Sequence, residues 1–282
     1  MSNTTTITVS TLWRYPVKSM MGEELNGANI TLGCLLGDRS YALIDTQTNK
    51  VVSAKNPKKW PNFFSFRAAY TAPLEFNTTQ PVWITLPDGK VLHSDQADLN
   101  QQLSDFLGSP VKLATQAPEA AALEQYWPEY EGESNEISNE AVAGDAPQGS
   151  FFDYAALHLI TTSSLEALQK IYPEGRFEVR RFRPNITIDT SGLTGFVEND
   201  WVGKTIKIGD SLRLQISDPC PRCVMPTLAQ GDLPADSGIL KAVAQNRPLV
   251  PFAGKELPSV GVYAKVIQAG WVKRGDTIVI ED

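Results

Sequence analysis

The chain has little cysteine and less histidine: Cys34, Cys220 and Cys223, with His93 and His158, in 282 residues. Three cysteines are too few for a disulfide framework, and fewer than the four thiolates that an iron–sulfur cluster takes. Long apolar runs are missing too. No stretch approaches the roughly 18 apolar residues of a membrane span. Residues 1–10 are polar and threonine-rich, without a basic start leading into an apolar segment, so no secretory signal is read there. Positive charge is not in excess. Lys and Arg number 25 against 32 Asp and Glu, a net charge of -7, which excludes a general nucleic-acid binder with a basic face. The expected protein is cytoplasmic, in a reducing compartment, with neither nucleic acid nor membrane as partner. What remains is ordinary for a globular chain, with 42% hydrophobic residues and length enough to bury a real core.

The first third reads as β-rich. Ile7, Val9, Thr11 and Trp13 alternate with their neighbours, the period of a strand. Val82 to Leu86 and Lys90 to Leu92 flank the turn Pro87-Asp88-Gly89 and predict a hairpin. A helix follows, capped by Asp98 with Gln101 at the capping-box position, and ended by Gly108. Residues 118–150 are acidic, carrying Glu119, Glu124, Glu129, Glu131, Glu133, Glu136, Glu140 and Asp145, and read as a solvated linker or surface excursion. The units expected are therefore 1–117, the linker 118–150, and 151–282. The last opens with an apolar run and a helix whose capping box is Ser163 with Glu166. Two similar turns, Ile208-Gly209-Asp210-Ser211-Leu212 and Arg274-Gly275-Asp276-Thr277-Ile278, each lead into alternating apolar residues. Many short strands with regular turns predict a closed or nearly closed β-barrel with peripheral helices.

Chemistry concentrates at Asp218-Pro219-Cys220-Pro221-Arg222-Cys223, after the strand-like run Leu212 to Ile216. An arginine beside two thiols favours thiolate, the form that binds soft metals or attacks electrophiles. Zinc is disfavoured, because the other possible ligands, Cys34, His93 and His158, include no sequence pair. A thioredoxin-like dithiol should open a helix, and Pro226 argues against one. Two buried inert thiols are the bland alternative.

Four other segments carry groups suited to an anion: Arg14-Tyr15-Pro16-Val17-Lys18-Ser19, Gly37-Asp38-Arg39-Ser40, Thr161-Thr162-Ser163-Ser164 and Arg180-Arg181-Phe182-Arg183-Pro184-Asn185. Hydroxyls before a helix ordinarily cap it, and arginines at a strand edge ordinarily face water. Together, however, a helix N-terminus, arginine forks and a lysine are what a phosphate-bearing cofactor needs.

These motifs, with Phe152-Asp153, Trp201-Val202-Gly203 and Gly275-Asp276, occur in the order seen in MOSC-domain proteins. The chain resembles in particular the mitochondrial amidoxime-reducing component and its bacterial relatives. The resemblance implies an α+β, β-rich fold: an N-terminal β-barrel-type domain followed by a MOSC β-barrel with peripheral helices. It implies a molybdenum–molybdopterin cofactor whose metal is ligated by Cys223, the catalytic residue. By position it assigns Lys18, Ser19, Arg39, Thr161, Thr162, Arg183 and Asn185 to the pterin and its phosphate. Arg222 and Cys220 would surround and tune the metal. Neither an iron–sulfur cluster nor pyridoxal phosphate is expected in this chain. The activity implied is reduction of N-hydroxylated compounds, such as hydroxylamines and amidoximes, by oxygen-atom removal. Electrons would come from a separate ferredoxin-, flavin- or cytochrome-type protein. The alternatives are a cofactor carrier or sulfur relay using Cys223, and a metal-free protein with a redox dithiol.

Overall fold

The structure, a computed structural model, describes residues 6–76, 78–127 and 136–281. Residues 1–5 of the opening, and Glu129, Glu131 and Glu133 of the acidic stretch, lie outside the described residues.

Period-two alternation puts successive side chains on opposite faces of a strand. In strand Leu212–Pro221 it buries Leu212, Leu214 and Ile216 completely, while Arg213 and Gln215 face outward. Thr205–Ile208 alternates in the same way, and Leu157–Thr161 and the first half of Ser259–Gln268 are buried on both faces; all belong to one sheet. Its order is Glu23–Leu25, Thr8–Arg14, Ile186–Asp189, Leu157–Thr161, Ser259–Gln268, Leu212–Pro221, Thr205–Ile208, Ile278–Glu281. Pairing is antiparallel except between Leu157–Thr161 and Ile186–Asp189, which run parallel. A parallel pair needs a crossover, and helices Thr162–Ile171 and Val179–Phe182 provide it. The sheet then closes on itself. Thr8 bridges Thr277, and the Ile278 N–H donates to the Ile7 carbonyl at 2.8 Å. Closure removes the unpaired edges that would otherwise invite association. Leu12, Leu159, Ile186, Ile206, Leu214 and Val262 are among the side chains filling the interior.

The two predicted Gly-Asp turns pack on each other. Gly209 (φ 57°) donates its N–H to the Thr277 carbonyl, and a Cβ added there would come 2.8 Å from Asp276 Oδ2. Glycine is therefore favoured on both counts at this position.

A second core, with Val17, Met20, Phe63, Phe64, Phe66 and Ile84, lies in the first half of the chain. The predicted hairpin is present as Val82–Thr85 with Val91–His93, and Arg67–Tyr70 adds a third strand. Helix Leu99–Leu107 ends at Gly108 (φ 65°), as expected. The two halves are woven together, because the first strand, Thr8–Arg14, belongs to the barrel.

Three local expectations are corrected. The Asp98 side chain makes no cap hydrogen bond to the helix backbone, and takes the amides of Gln96 and Gln102 instead. The second helix is capped by Thr161, which accepts from the Ser164 N–H, rather than by a Ser163–Glu166 box. The acidic stretch is not a solvated excursion throughout. Strands Ala122–Trp127 and Glu136–Ala141 pair within it, Leu123 is fully buried, and Glu124 pairs with Lys50 at 2.9 Å.

Candidate active site

The first barrel strand breaks at Tyr15-Pro16, since proline removes a ladder donor. The chain then buries Tyr15, Lys18 and Ser19 where the two cores meet. Tyr15 is the centre of a cationic cluster. Its N–H donates to Asp38 Oδ1 at 2.7 Å, and its hydroxyl donates to the Pro184 carbonyl at 3.2 Å. The guanidinium of Arg183 lies 4.1 Å from the centre of the Tyr15 ring, and that of Arg39 lies 5.0 Å from it. Arginine–aromatic stacking of this kind holds a cation in place without neutralising it. Arg39 is also ion-paired with Asp38. Among the described residues Arg183 has no such carboxylate partner. Burial is the main cause that pulls its pKa down to about 10, and Nη2 is buried with no hydrogen-bond partner among the described residues.

Lys18 is 4% exposed and donates to the Phe151 carbonyl at 2.6 Å. It also pairs with Asp153, whose other oxygen takes Lys55 at 2.9 Å. Burial pulls Lys18 down to about 8, against the opposing pull of Asp153. Burial alone would raise Asp153, but Lys18 and Lys55 outweigh it and hold its carboxyl well below the usual range. Burial likewise works to lower Lys55, yet Asp153 and then the sulfur of Cys223 raise it. Ser19 helps to hold that loop: its hydroxyl accepts from the Ala54 N–H at 3.1 Å.

Cys220 and Cys223 differ. Cys220 is buried, and burial pushes its thiol up. Arg222 Nη1 donates to Cys220 Sγ at 2.9 Å. Cys223 is half-buried and free, in the turn before the short helix Met225–Thr227. Arg222 is fixed by the Phe182 carbonyl at 2.6 Å and by the Phe182 ring, but its Nε is buried without a partner among the described residues.

The structure therefore brings together Lys18, Arg39 and Arg183 around Tyr15 and the Phe151–Asp153 segment, and ties Arg222, the neighbour of Cys223, to Phe182 next to Arg183. It treats the remaining candidates differently. Asn185 is consumed by the fold: its side chain donates to Asp38 Oδ2 at 2.9 Å and accepts from the His158 N–H. Thr161 donates to buried Glu198 at 2.6 Å while capping its helix. Thr162 bonds the Thr190 N–H, and Thr190 Oγ1 takes the Ser163 N–H. This helix end is thus closed by protein groups. The two neighbouring arginines also leave the pocket. Arg180 pairs with Glu178 and Asp232, and Arg181 is buried against backbone carbonyls. Both sit on a short helix rather than a strand edge.

Sequence reasoning left Lys55, Asp153, Tyr15 and Tyr263 out of the candidate set. Asp153 lay inside a quoted motif. Lys55 stood in a run with Lys58 and Lys59 that looks like ordinary surface charge. A further mark was invisible. Seven non-glycine residues among those described have positive φ, and three of them are Ser19 (64°), Arg39 (50°) and Arg183 (55°). Such conformations cost about 1–3 kcal/mol each and collect at functional sites.

The site fits an anionic pterin carrying a soft metal. Buried donors without partners demand an explanation, and two of them, Arg183 Nη2 and Arg222 Nε, belong to the site's cations. Among the described residues no three of His, Cys, Asp or Glu cluster, so a metal here would depend on ligands from a cofactor. One thiolate suits a metal already bound by sulfur.

Residues 146–279 match the family model described as MOSC domain, and residues 6–127 match the MOSC N-terminal beta barrel domain. The chain is a MOSC-domain protein. Mitochondrial amidoxime-reducing component 1 of Mus musculus is 25% identical over 295 residues, covering 97% of this MOSC chain and 82% of the relative. Mitochondrial amidoxime reducing component 2 of Homo sapiens is 25% identical over 293 residues, covering 96% and 82%. Among solved structures, the YUAD protein of Bacillus subtilis aligns with a TM-score of 0.41 and 11% identity, over 98% of this chain and 95% of that one. Among the described residues no helix is long and apolar enough to cross a membrane.

Proposed function

We propose that this MOSC protein is a molybdenum-cofactor-dependent reductase of N-hydroxylated compounds, supplied with electrons by a separate protein. The observation that carries this reading is the free, half-buried Cys223 directly after Arg222, with buried Arg183 and Arg222 nitrogens that have no hydrogen-bond partner among the described residues. The similarity to amidoxime-reducing components supports the reaction class.

Cys223 would be the one protein ligand of the metal. Arg183, Arg39 and Lys18 would hold the anionic end of the pterin, with Arg183 carrying the most unspent hydrogen-bonding capacity. When bound, the molybdenum–pterin group supplies two-electron reduction with removal of an oxygen atom. The chain's own part is positioning. Phe182 and Cys220 fix the Arg222 fork, and Asp153 fixes the Lys18 and Lys55 ammonium groups. Cys220 lies in this shell as an orienting thiol, not as a second metal ligand.

The test is turnover. Purified protein loaded with molybdenum cofactor and given an artificial donor is expected to reduce a hydroxylamine or amidoxime many times per chain. A limit of one turnover, with cofactor released to an acceptor, would instead support a carrier. Full activity without molybdenum would exclude both.

A further inference from the structure

Next to the thiol site stands an aromatic stack that the cofactor residues do not use. Tyr154 directly follows Asp153. Its ring stacks on Phe252 at 4.1 Å and 27°, and it lies 5.3 Å from the ring of Tyr263, which pairs across the strands with Asp218, two residues before Cys220. On its other side Tyr154 is backed by Gly144, where an added Cβ would come 2.9 Å from Cδ2. Phe252 sits in the hairpin of Leu249–Val250 with Lys255–Glu256, and its N–H reaches Asp218 Oδ1 at 3.4 Å, two residues before Cys220.

Phe252 is 47% exposed and Leu249 is 61% exposed on the same hairpin. Keeping a phenyl ring half in water gives up part of the gain from burying it. Here the ring is nevertheless held flat by stacking and by a backbone tether. A pre-ordered apolar face beside polar chemistry is how small-molecule sites receive the unreactive part of a ligand.

We propose that Tyr154 and Phe252 form an aromatic wall at this site that selects substrates carrying a flat aromatic group next to the N-hydroxylated centre. The proposal deepens the reductase reading and rests on it for the chemistry, but the wall itself is a binding surface. An aromatic pair contributes about 0.5–1.5 kcal/mol beyond area burial, or roughly threefold to tenfold in affinity.

The experiment compares benzamidoxime with acetamidoxime on the cofactor-loaded protein, by KM in turnover and by calorimetric binding without a donor. Phe252→Ala is expected to lower the aryl-over-methyl preference about threefold to tenfold, and Phe252→Leu, which keeps apolar area without a ring, to recover part of it. A preference within twofold of wild type in both variants would overturn the wall. Failure of the wild type to reduce either probe would sink the reductase reading alone. In that case the calorimetric preference, and its loss in Phe252→Ala, decides the wall.

Discussion

Arg181 provides the sharpest test of how the site is held. It is 1% exposed, and its guanidinium donates to the carbonyls of Arg176 at 2.8 Å, Pro226 at 3.0 Å, Leu228 at 3.3 Å and Pro234 at 2.9 Å. Three of those carbonyls belong to the segment just after Cys223. Arg181→Met keeps much of the apolar stem and removes every donor. A hydrogen bond to a charged group is worth about 1.5–3 kcal/mol, but such bonds share one guanidinium and do not add. Removing the buried cation also relieves its desolvation cost, which offsets part of the loss. The net expectation is a loss of about 3–5 kcal/mol, a large part of a typical folding stability of about 5–15 kcal/mol. Urea unfolding followed by circular dichroism reads it directly. Arg180→Met is the control one residue away. Its partners are exposed, Asp232 by 63%, and surface pairs contribute about 0–1 kcal/mol. The reasoning is refuted if Arg181→Met costs less than about 1 kcal/mol, or no more than the control.

Two other outcomes follow from the cluster. Arg183→Ala is expected to lower bound pterin, read by pterin fluorescence after denaturation, without shifting the urea midpoint downward; an unaltered pterin content would contradict the role given to Nη2. Asp153 has a depressed folded pKa, so its contribution is present above the unfolded value of about 3.9 and is lost as pH falls through the folded one. Stability of the wild type should therefore drop on acidification below about pH 4 more steeply than that of Asp153→Asn, and equal slopes would refute the pairing.

The barrel was legible where its strands keep a period of two: Leu212, Leu214 and Ile216 face in, and the Gly-Asp turns mark where strands begin. The strand Ala122–Trp127 was not legible. Its inward positions include Gln125, buried at 5%, so the apolar alternation breaks, while Glu124 faces lysines from another segment. The run of four hydroxyls at Thr161 to Ser164 predicts a cap but not which residue caps. Glu198, buried and bonded by Thr161 and Ser164, decides it from 34 and 37 positions away. Within the site, Cys223, Arg183, Arg39 and Lys18 could be named from motifs. Lys55 could not, because its partner Asp153 is distant in sequence. Nor could positive φ at Ser19, Arg39 and Arg183 be anticipated at residues other than glycine.

The most direct measurement is molybdenum K-edge X-ray absorption, with metal analysis, on cofactor-loaded wild type and Cys223→Ser. The account predicts stoichiometric molybdenum in the wild type and, in the variant, one fewer sulfur ligand or loss of the metal. The same sulfur count and metal content in both proteins would contradict it.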